Sequence, residues 1–232
     1  QVPLTAIAFF MLTGELMTSA TITDRLVALS RALIGRIRGG LAQVNVLVSM
    51  FFAGMNGSVV ADTATVGALV LPAMKKAGYP AAFSAAVTGV SSTIGGIIPP
   101  SIMMIVLANA TEISIASLFA AGIIPGILIG VVIMVINHYF AVKHNFERSD
   151  EPFSVRRAGK ELYRSSFALL IPLVLVGSVM GGVASVVEAG AITALVALFT
   201  GVFVYRTIKW KDCTGAFRRA FRNSAMVFII IA

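Results

Sequence analysis

Two short runs in this chain combine side chains and backbone able to hold a small ion. The first is Gly54-Met55-Asn56-Gly57-Ser58. The second is Ser91-Ser92-Thr93-Ile94-Gly95-Gly96, closed by Pro99-Pro100-Ser101. Both interrupt apolar sequence where a simple membrane span would stay intact. Proline removes a backbone donor and disfavours helix in the residue before it, and paired glycines make extended backbone cheap. Inside a bilayer such breaks survive only where protein or a wet cavity satisfies the freed backbone groups. Hydroxyls and free carbonyls at a helix break offer hard oxygen ligands to a cation without burying a charge. Exposed helix N-termini suit a carboxylate. Two broken apolar segments close together in sequence therefore point to the ion or substrate site of a transporter.

Each residue also has a plainer reading. Ser, Thr and Gly let membrane helices pack closely, so Ser91, Ser92 and Thr93 serve packing or ligation. Asn56-Gly57-Ser58 is a turn and cap, or a binding tip. Asp62 falls in the first turn after Ser58, where the helix dipole stabilises a carboxylate. It is equally an intramembrane acid, which is a functional candidate by default. Glu188 has the same two readings, while Glu15 suits an interface. Thr88 and Asn45 line the site or bridge helices. His138 and His144 lie near a span end and read as interface anchors.

The elements that must position these residues are set by composition. The mean hydropathy is +0.94, and 58% of residues are hydrophobic against 12% charged. Soluble domains are about 25% charged, so an all-α polytopic membrane protein is expected. The net charge of +8 lies in short basic clusters between apolar runs, the pattern that encodes membrane topology. No interleaving of aromatic and basic residues suggests nucleic-acid binding. A single cysteine, Cys213, excludes an internal disulfide, and no Cys/His cluster has metal-ligand spacing. No cofactor is expected. The first residue is Gln and the last run is still apolar, so both ends read as cut from a longer permease.

Taken in order, residues 1–40 give a short apolar span, Pro3 to Met17, and an amphipathic helix from Thr21 to Arg38. The latter has Leu26, Leu29, Leu33 and Ile37 on one stripe and ends in Arg31, Arg36 and Arg38. Residues 41–78 read as a re-entrant hairpin. Leu41 to Ala53 is too short to cross the roughly 30 Å hydrocarbon core, and Ser58 caps a returning helix from Val59 to Met74. Residues 79–142 hold a helix from Ala81 to Val90, a break over Ser91 to Ser101, a short helix, and a long run interrupted at Pro125-Gly126. Residues 143–164 are a polar linker or surface helix. Residues 165–232 hold two spans, a basic amphipathic segment from Arg206 to Arg222 anchored by Trp210, Phe217 and Phe221, and a new apolar run from Ala225. The order span, basic amphipathic helix, apolar segment thus occurs twice. It suggests inverted repeats with the second truncated.

These residues resemble a known family. Gly57-Ser58-Val59-Val60-Ala61-Asp62, Gly67, Pro72-Ala73-Met74-Lys75-Lys76-Ala77-Gly78-Tyr79 and Ile97-Ile98-Pro99-Pro100-Ser101 are similar to the large membrane subunit of tripartite ATP-independent periplasmic (TRAP) transporters. Leu12 to Met17, Arg25-Leu26, Gly35 with Arg38-Gly39-Gly40, and Ala121 to Gly126 are similar to it as well, in collinear order over nearly the whole chain. Family members are close to twice this length.

The resemblance implies a sodium-coupled secondary transporter of the bacterial inner membrane that imports organic acids such as C4-dicarboxylates or sialic acid. It implies a periplasmic binding protein that delivers substrate, a small membrane subunit as partner, and an elevator-type carrier with hairpins. It places Asn56, Gly57 and Ser58 at the hairpin tip, and Ser91, Ser92, Thr93 and Gly95 at an unwound helix facing it. These seven are the candidate sodium ligands. Ser58, Asp62, Thr88, Pro99, Ser101 and Glu188 are the candidate substrate contacts. One departure stands out: where the family has Thr-Pro-x-Glu-Ala after two glycines, this chain has Ser185-Val186-Val187-Glu188-Ala189.

The competing functions are a different ion-coupled carboxylate permease that needs no binding protein, and an intramembrane enzyme. A serine hydrolase requires a His within reach of its Ser. His138 and His144 sit at a polar span end with no second motif, so no enzymatic activity is expected.

Overall fold

The computed structural model describes residues 2–146 and 154–231, and among them every regular element is helical. In chain order these are α1 (Val2–Ser19), α2 (Ile22–Ile34), α3 (Gly40–Asn56), α4 (Val59–Lys76) and α5 (Ala81–Ser92). A 3₁₀ turn (Thr93–Gly96) leads to α6 (Ile102–Thr111), α7 (Ile115–Lys143) and α8 (Val155–Met180). Then follow α9 (Val186–Phe199), a π-helical turn (Thr200–Val204) and α10 (Trp210–Ile231). Among the described residues, three helical stretches are long and apolar enough to cross a membrane: Ile115–Lys143, Val155–Met180 and Val186–Val204. A fourth candidate is α1 with α2, which bend by 71° at their junction. The fold is that of a polytopic membrane protein.

Several boundaries differ from those expected. The amphipathic α2 buries Ile22, Leu26 and Leu29, but it ends at Gly35, so Leu33 is 41% exposed and Ile37 lies beyond the helix. Pro125 and Gly126 do not interrupt α7. The boundary expected near residue 224 is absent, since α10 runs unbroken through it. The expected linker over residues 143–164 falls partly outside the described residues, and α8 already starts at Val155.

The hairpin of α3 and α4 stands with both feet at one end of the molecule. At the α3 foot, a Cβ on Gly39 would fall 2.5 Å from Ala141 Cβ near the end of α7. At the α4 foot, the Tyr79 ring lies 4.6 Å from that of Phe146, just past α7. Two further basic segments, the start of α2 and the first half of α8, meet each other. Arg25 of α2 stacks on Tyr205 at 3.8 Å, and the Tyr205 hydroxyl donates to the Arg164 carbonyl of α8 at 3.0 Å. The turns at the opposite end, 112–114 and 181–185, carry no Lys or Arg.

A row of glycines on α7 fixes how the hairpin and the broken helix sit together. A Cβ on Gly130 would fall 2.5 Å from Met50 Sδ of α3. On Gly126 it would meet Ile98 Cγ1 at 2.4 Å, and on Gly122 Met104 Cε at 2.3 Å. The three positions lie one helical turn apart; at Gly122 the Ile97 carbonyl is also 2.4 Å away, so backbone closes it, whereas at Gly126 and Gly130 the neighbouring side chain would have to shift.

Candidate functional site

The tip of the hairpin meets the break between α5 and α6. Gly57 ends α3 with φ 60°, the left-handed geometry that favours glycine. The Ile102 N–H donates to the Gly57 carbonyl at 3.3 Å, and a Cβ at Gly57 would lie 2.3 Å from the Pro100 carbonyl oxygen. Gly95 approaches the backbone of Ser58, its added Cβ being 3.7 Å from the Ser58 carbonyl carbon. The structure thus joins Gly57, Ser58, Gly95, Pro99 and Ser101 in one place. The Pro99-Pro100 bond there is cis. Asn56 closes α3, and its side chain lies outside the described residues.

Two helices begin at this junction, each with a serine cap. Ser58 Oγ accepts from the Ala61 N–H at 3.3 Å. Ser101 Oγ accepts from the Met104 N–H at 3.3 Å and donates to the Gly96 carbonyl at 2.8 Å. The positive ends of the α4 and α6 dipoles therefore converge, an arrangement that favours an anion.

The serine run differs from expectation. Ser91 and Ser92 are not in unwound backbone but in the last turn of α5. Ser91 Oγ donates to the Val87 carbonyl at 2.7 Å and Ser92 Oγ to the Thr88 carbonyl at 2.8 Å. These bonds to the preceding turn satisfy the hydroxyls locally, so helix persists past the expected break. Unwinding starts only at Thr93, which is exposed and donates to the Val90 carbonyl.

Beneath the tip lies a buried polar string. Asn45 of α3 donates from Nδ2 to Thr88 Oγ1 at 2.7 Å. Ser91 Oγ lies 3.4 Å from Asn45 Oδ1 and 3.4 Å from the Ser49 hydroxyl. Asp62 of α4 completes it. Its side chain is fully buried and neither carboxylate oxygen receives a well-formed hydrogen bond. The hydroxyls of Ser92 and Ser49 stand beside it. Ser92 also bonds the Thr88 carbonyl and Ser49 the Ser91 hydroxyl, so the carboxylate shares these two hydroxyls with other acceptors. The helix cap that Asp62 was expected to share is made by Ser58.

Thr88 sits in this string, but Glu188 does not. Glu188 accepts from the Ser185 N–H at 2.8 Å while Ser185 Oγ accepts from the Glu188 N–H, a capping box at the start of α9. Ser185, which departs from the family pattern, is the residue that makes this box.

On its outer side the tip borders a cavity of about 370 Å³ between α1, α4 and α10, reached by Ser58, Thr65, Glu15 and Asn223. Glu15 accepts from Arg219 Nε at 2.6 Å and from Asn223 Nδ2 at 3.2 Å. Sequence reasoning left Glu15 at an interface and did not single out Ser49. An acid inside an apolar run was the available signal for Glu15; Ser49 had none.

The family model described as "Tripartite ATP-independent periplasmic transporter, DctM component" matches residues 1–232. The chain is 36% identical over 229 residues to the C4-dicarboxylate TRAP transporter large permease protein DctM of Pseudomonas aeruginosa, covering 99% of this chain and 53% of that protein. It is 34% identical over 228 residues to the sialic acid TRAP transporter large permease protein SiaM of Vibrio cholerae, covering 98% and 53%. It is 34% identical over 229 residues to the 2,3-diketo-L-gulonate TRAP transporter large permease protein YiaN of Escherichia coli, covering 99% and 54%. The chain spans about half the length of these relatives.

Proposed function

The chain belongs to the DctM family, the large permease component of tripartite ATP-independent periplasmic transporters, and from that premise we propose that its parent protein is a sodium-coupled importer of organic acids. The relatives are named for C4-dicarboxylate, sialic acid and 2,3-diketo-L-gulonate, which are all carboxylates. A small membrane subunit and a periplasmic binding protein are its partners, and the bacterial inner membrane is its location. The hairpin moves substrate in an elevator motion, and inverted repeats build the whole.

Asp62 carries this reading. A fully buried carboxylate with only two shared hydroxyls beside it is costly unless something positive meets it. Sodium is a hard cation that takes oxygen ligands. Asp62, Ser49 and Ser92 supply such oxygens beneath the tip, with Ser91 completing the wall and Gly57, Ser58, Thr93 and Gly95 offering backbone above them. The substrate carboxylate lies at the converging starts of α4 and α6, near Ser58 and Ser101, with Pro99 shaping the turn between them. A cation below and an anion above stabilise each other, which couples the two fluxes.

The test uses the full-length protein with its partners in proteoliposomes. Uptake should require a sodium gradient, and sodium but not potassium should raise the thermal midpoint of the purified protein by mass action. Asp62→Asn should abolish both effects while leaving the protein folded. Uptake that follows a proton gradient without sodium, or that needs no binding protein, would favour the other class of carboxylate permease.

A further inference from the structure

We propose that the groove between α8 and α9 is a binding site for one anionic phospholipid. The groove has a volume of about 390 Å³ and is walled by Phe167 and Leu170 of α8 and by Ile192, Leu195 and Phe199 of α9. Its walls are apolar and open outward, so within a bilayer the groove accepts an acyl chain. Nothing in that description selects a headgroup. Two further observations do.

The first is the α8 stripe that forms one wall. Arg156, Lys160, Tyr163, Phe167 and Leu170 recur at intervals of four, three, four and three residues and lie on one face of the helix. All five are exposed. The apolar groove therefore continues toward the basic end of the molecule into a tyrosine about one turn on and two cations about two and three turns on. Glu161 is the acid on this stretch, and it pairs with Arg164 at 3.2 Å. Arg206 follows Tyr205, whose hydroxyl bonds the Arg164 carbonyl of α8, and is also exposed. Basic residues bordering an apolar cleft between membrane helices at the positive end match a phosphate headgroup.

The second is Thr200. It lines the groove, is fully buried, and its hydroxyl has no hydrogen-bond partner. In a regular helix such a hydroxyl donates to the carbonyl one turn back. Here Thr200 opens the π-helical turn, the kind of local widening that recurs at functional sites. Among the groove residues of α9 and its π-turn it is the nearest in sequence to Arg206, so the bound lipid would set its glycerol ester at this end of the groove. An ester carbonyl there accepts the Thr200 proton, and the chain, the ester and the phosphate each meet a matching group in order along the groove.

The experiment is native mass spectrometry of the full-length transporter in its native assembly, titrated separately with phosphatidylglycerol and phosphatidylcholine. The expected result is a single tight phosphatidylglycerol site, with phosphatidylcholine weaker by at least tenfold. Arg156→Ala and Lys160→Ala should each weaken the phosphatidylglycerol site by about fivefold and leave phosphatidylcholine unchanged. Thr200→Val should weaken both lipids by about threefold to tenfold, and Leu195→Trp should remove the site. Equal affinity for the two lipids, or insensitivity to all four substitutions, overturns the proposal. So does cross-linking of a cysteine placed at Leu195 to a protein subunit in the native assembly, since a helix would then fill the groove.

Discussion

Asn45 and Thr88 meet at 2.7 Å, amide to hydroxyl, where neither side chain reaches solvent. The bond ties α3 of the hairpin to α5 below the break. Thr88 Oγ1 also donates to the Ser84 carbonyl, and the Asn45 amide also faces Met74 Sδ and Ser91, so removing one partner costs the other its cross-helix bond, about 0.5–1.5 kcal/mol. Asn45→Leu and Thr88→Val should each lower the thermal midpoint of the full-length protein. The double substitution should cost less than their sum, because the one cross-helix bond is then lost only once. Additive losses in that cycle would show that the bond contributes nothing.

Gly57 and Gly89 offer a matched pair. A Cβ at Gly57 would collide with the Pro100 carbonyl and force a left-handed side-chain residue, whereas a Cβ at Gly89, mid-helix in α5, meets nothing within 4 Å. Gly57→Ala should part the tip from the break and abolish uptake. Gly89→Ala should be neutral or stabilise by up to about 1 kcal/mol, because alanine is the better helix former. Uptake by Gly57→Ala at the wild-type level would mean that the tip need not touch the break.

The capping box at Ser185 and Glu188 predicts a structural phenotype rather than a substrate one. Ser185→Ala should destabilise by about 1 kcal/mol and leave the substrate KM unchanged. Glu188→Ala should behave in the same way, seen as a lower melting temperature. A selective rise in KM for Glu188→Ala would instead return this carboxylate to the substrate pathway.

The placement of charge predicts topology. Lys75, Lys76, Lys143 and the start of α8 share one end of the molecule, and the turns at 112–114 and 181–185 at the other end lack cations. The positive-inside tendency puts the former in the cytoplasm. Cys213, the one cysteine of the chain, is buried, which favours labelling of introduced cysteines. Lys76→Cys should react with a membrane-impermeant maleimide only after the membrane is opened, and Glu112→Cys in intact spheroplasts. The reverse pattern would invert the orientation.

Much of the site was legible in the chain because its signals are local. Glycine, serine and proline mark where helices end, so Gly57, Ser58 and Ser101 fell where the structure ends and begins them. The meeting of the tip with the break came from family resemblance, since no local pattern encodes a contact between residues 57 and 102. Ser91 and Ser92 misled for a physical reason: a hydroxyl can satisfy itself on the carbonyl of the preceding turn, so a serine pair does not unwind a helix. The continuity of α10 was hidden because Asn223 and Ser224 look like a boundary, while the bonds of Arg219 and Asn223 to Glu15 lie some two hundred residues away in sequence.

The glycine row of α7 has a mechanical consequence. Gly130 seats a side chain from the hairpin, Gly126 one from the segment after the 3₁₀ turn, and Gly122 one from α6. Three pieces that are separate in sequence are thereby keyed into a common rail. While those keys are engaged, sliding the hairpin past the broken helix requires Met50, Ile98 and Met104 to leave their seats on α7. A displacement of the tip that keeps those seats carries α7 with it as part of the same plank.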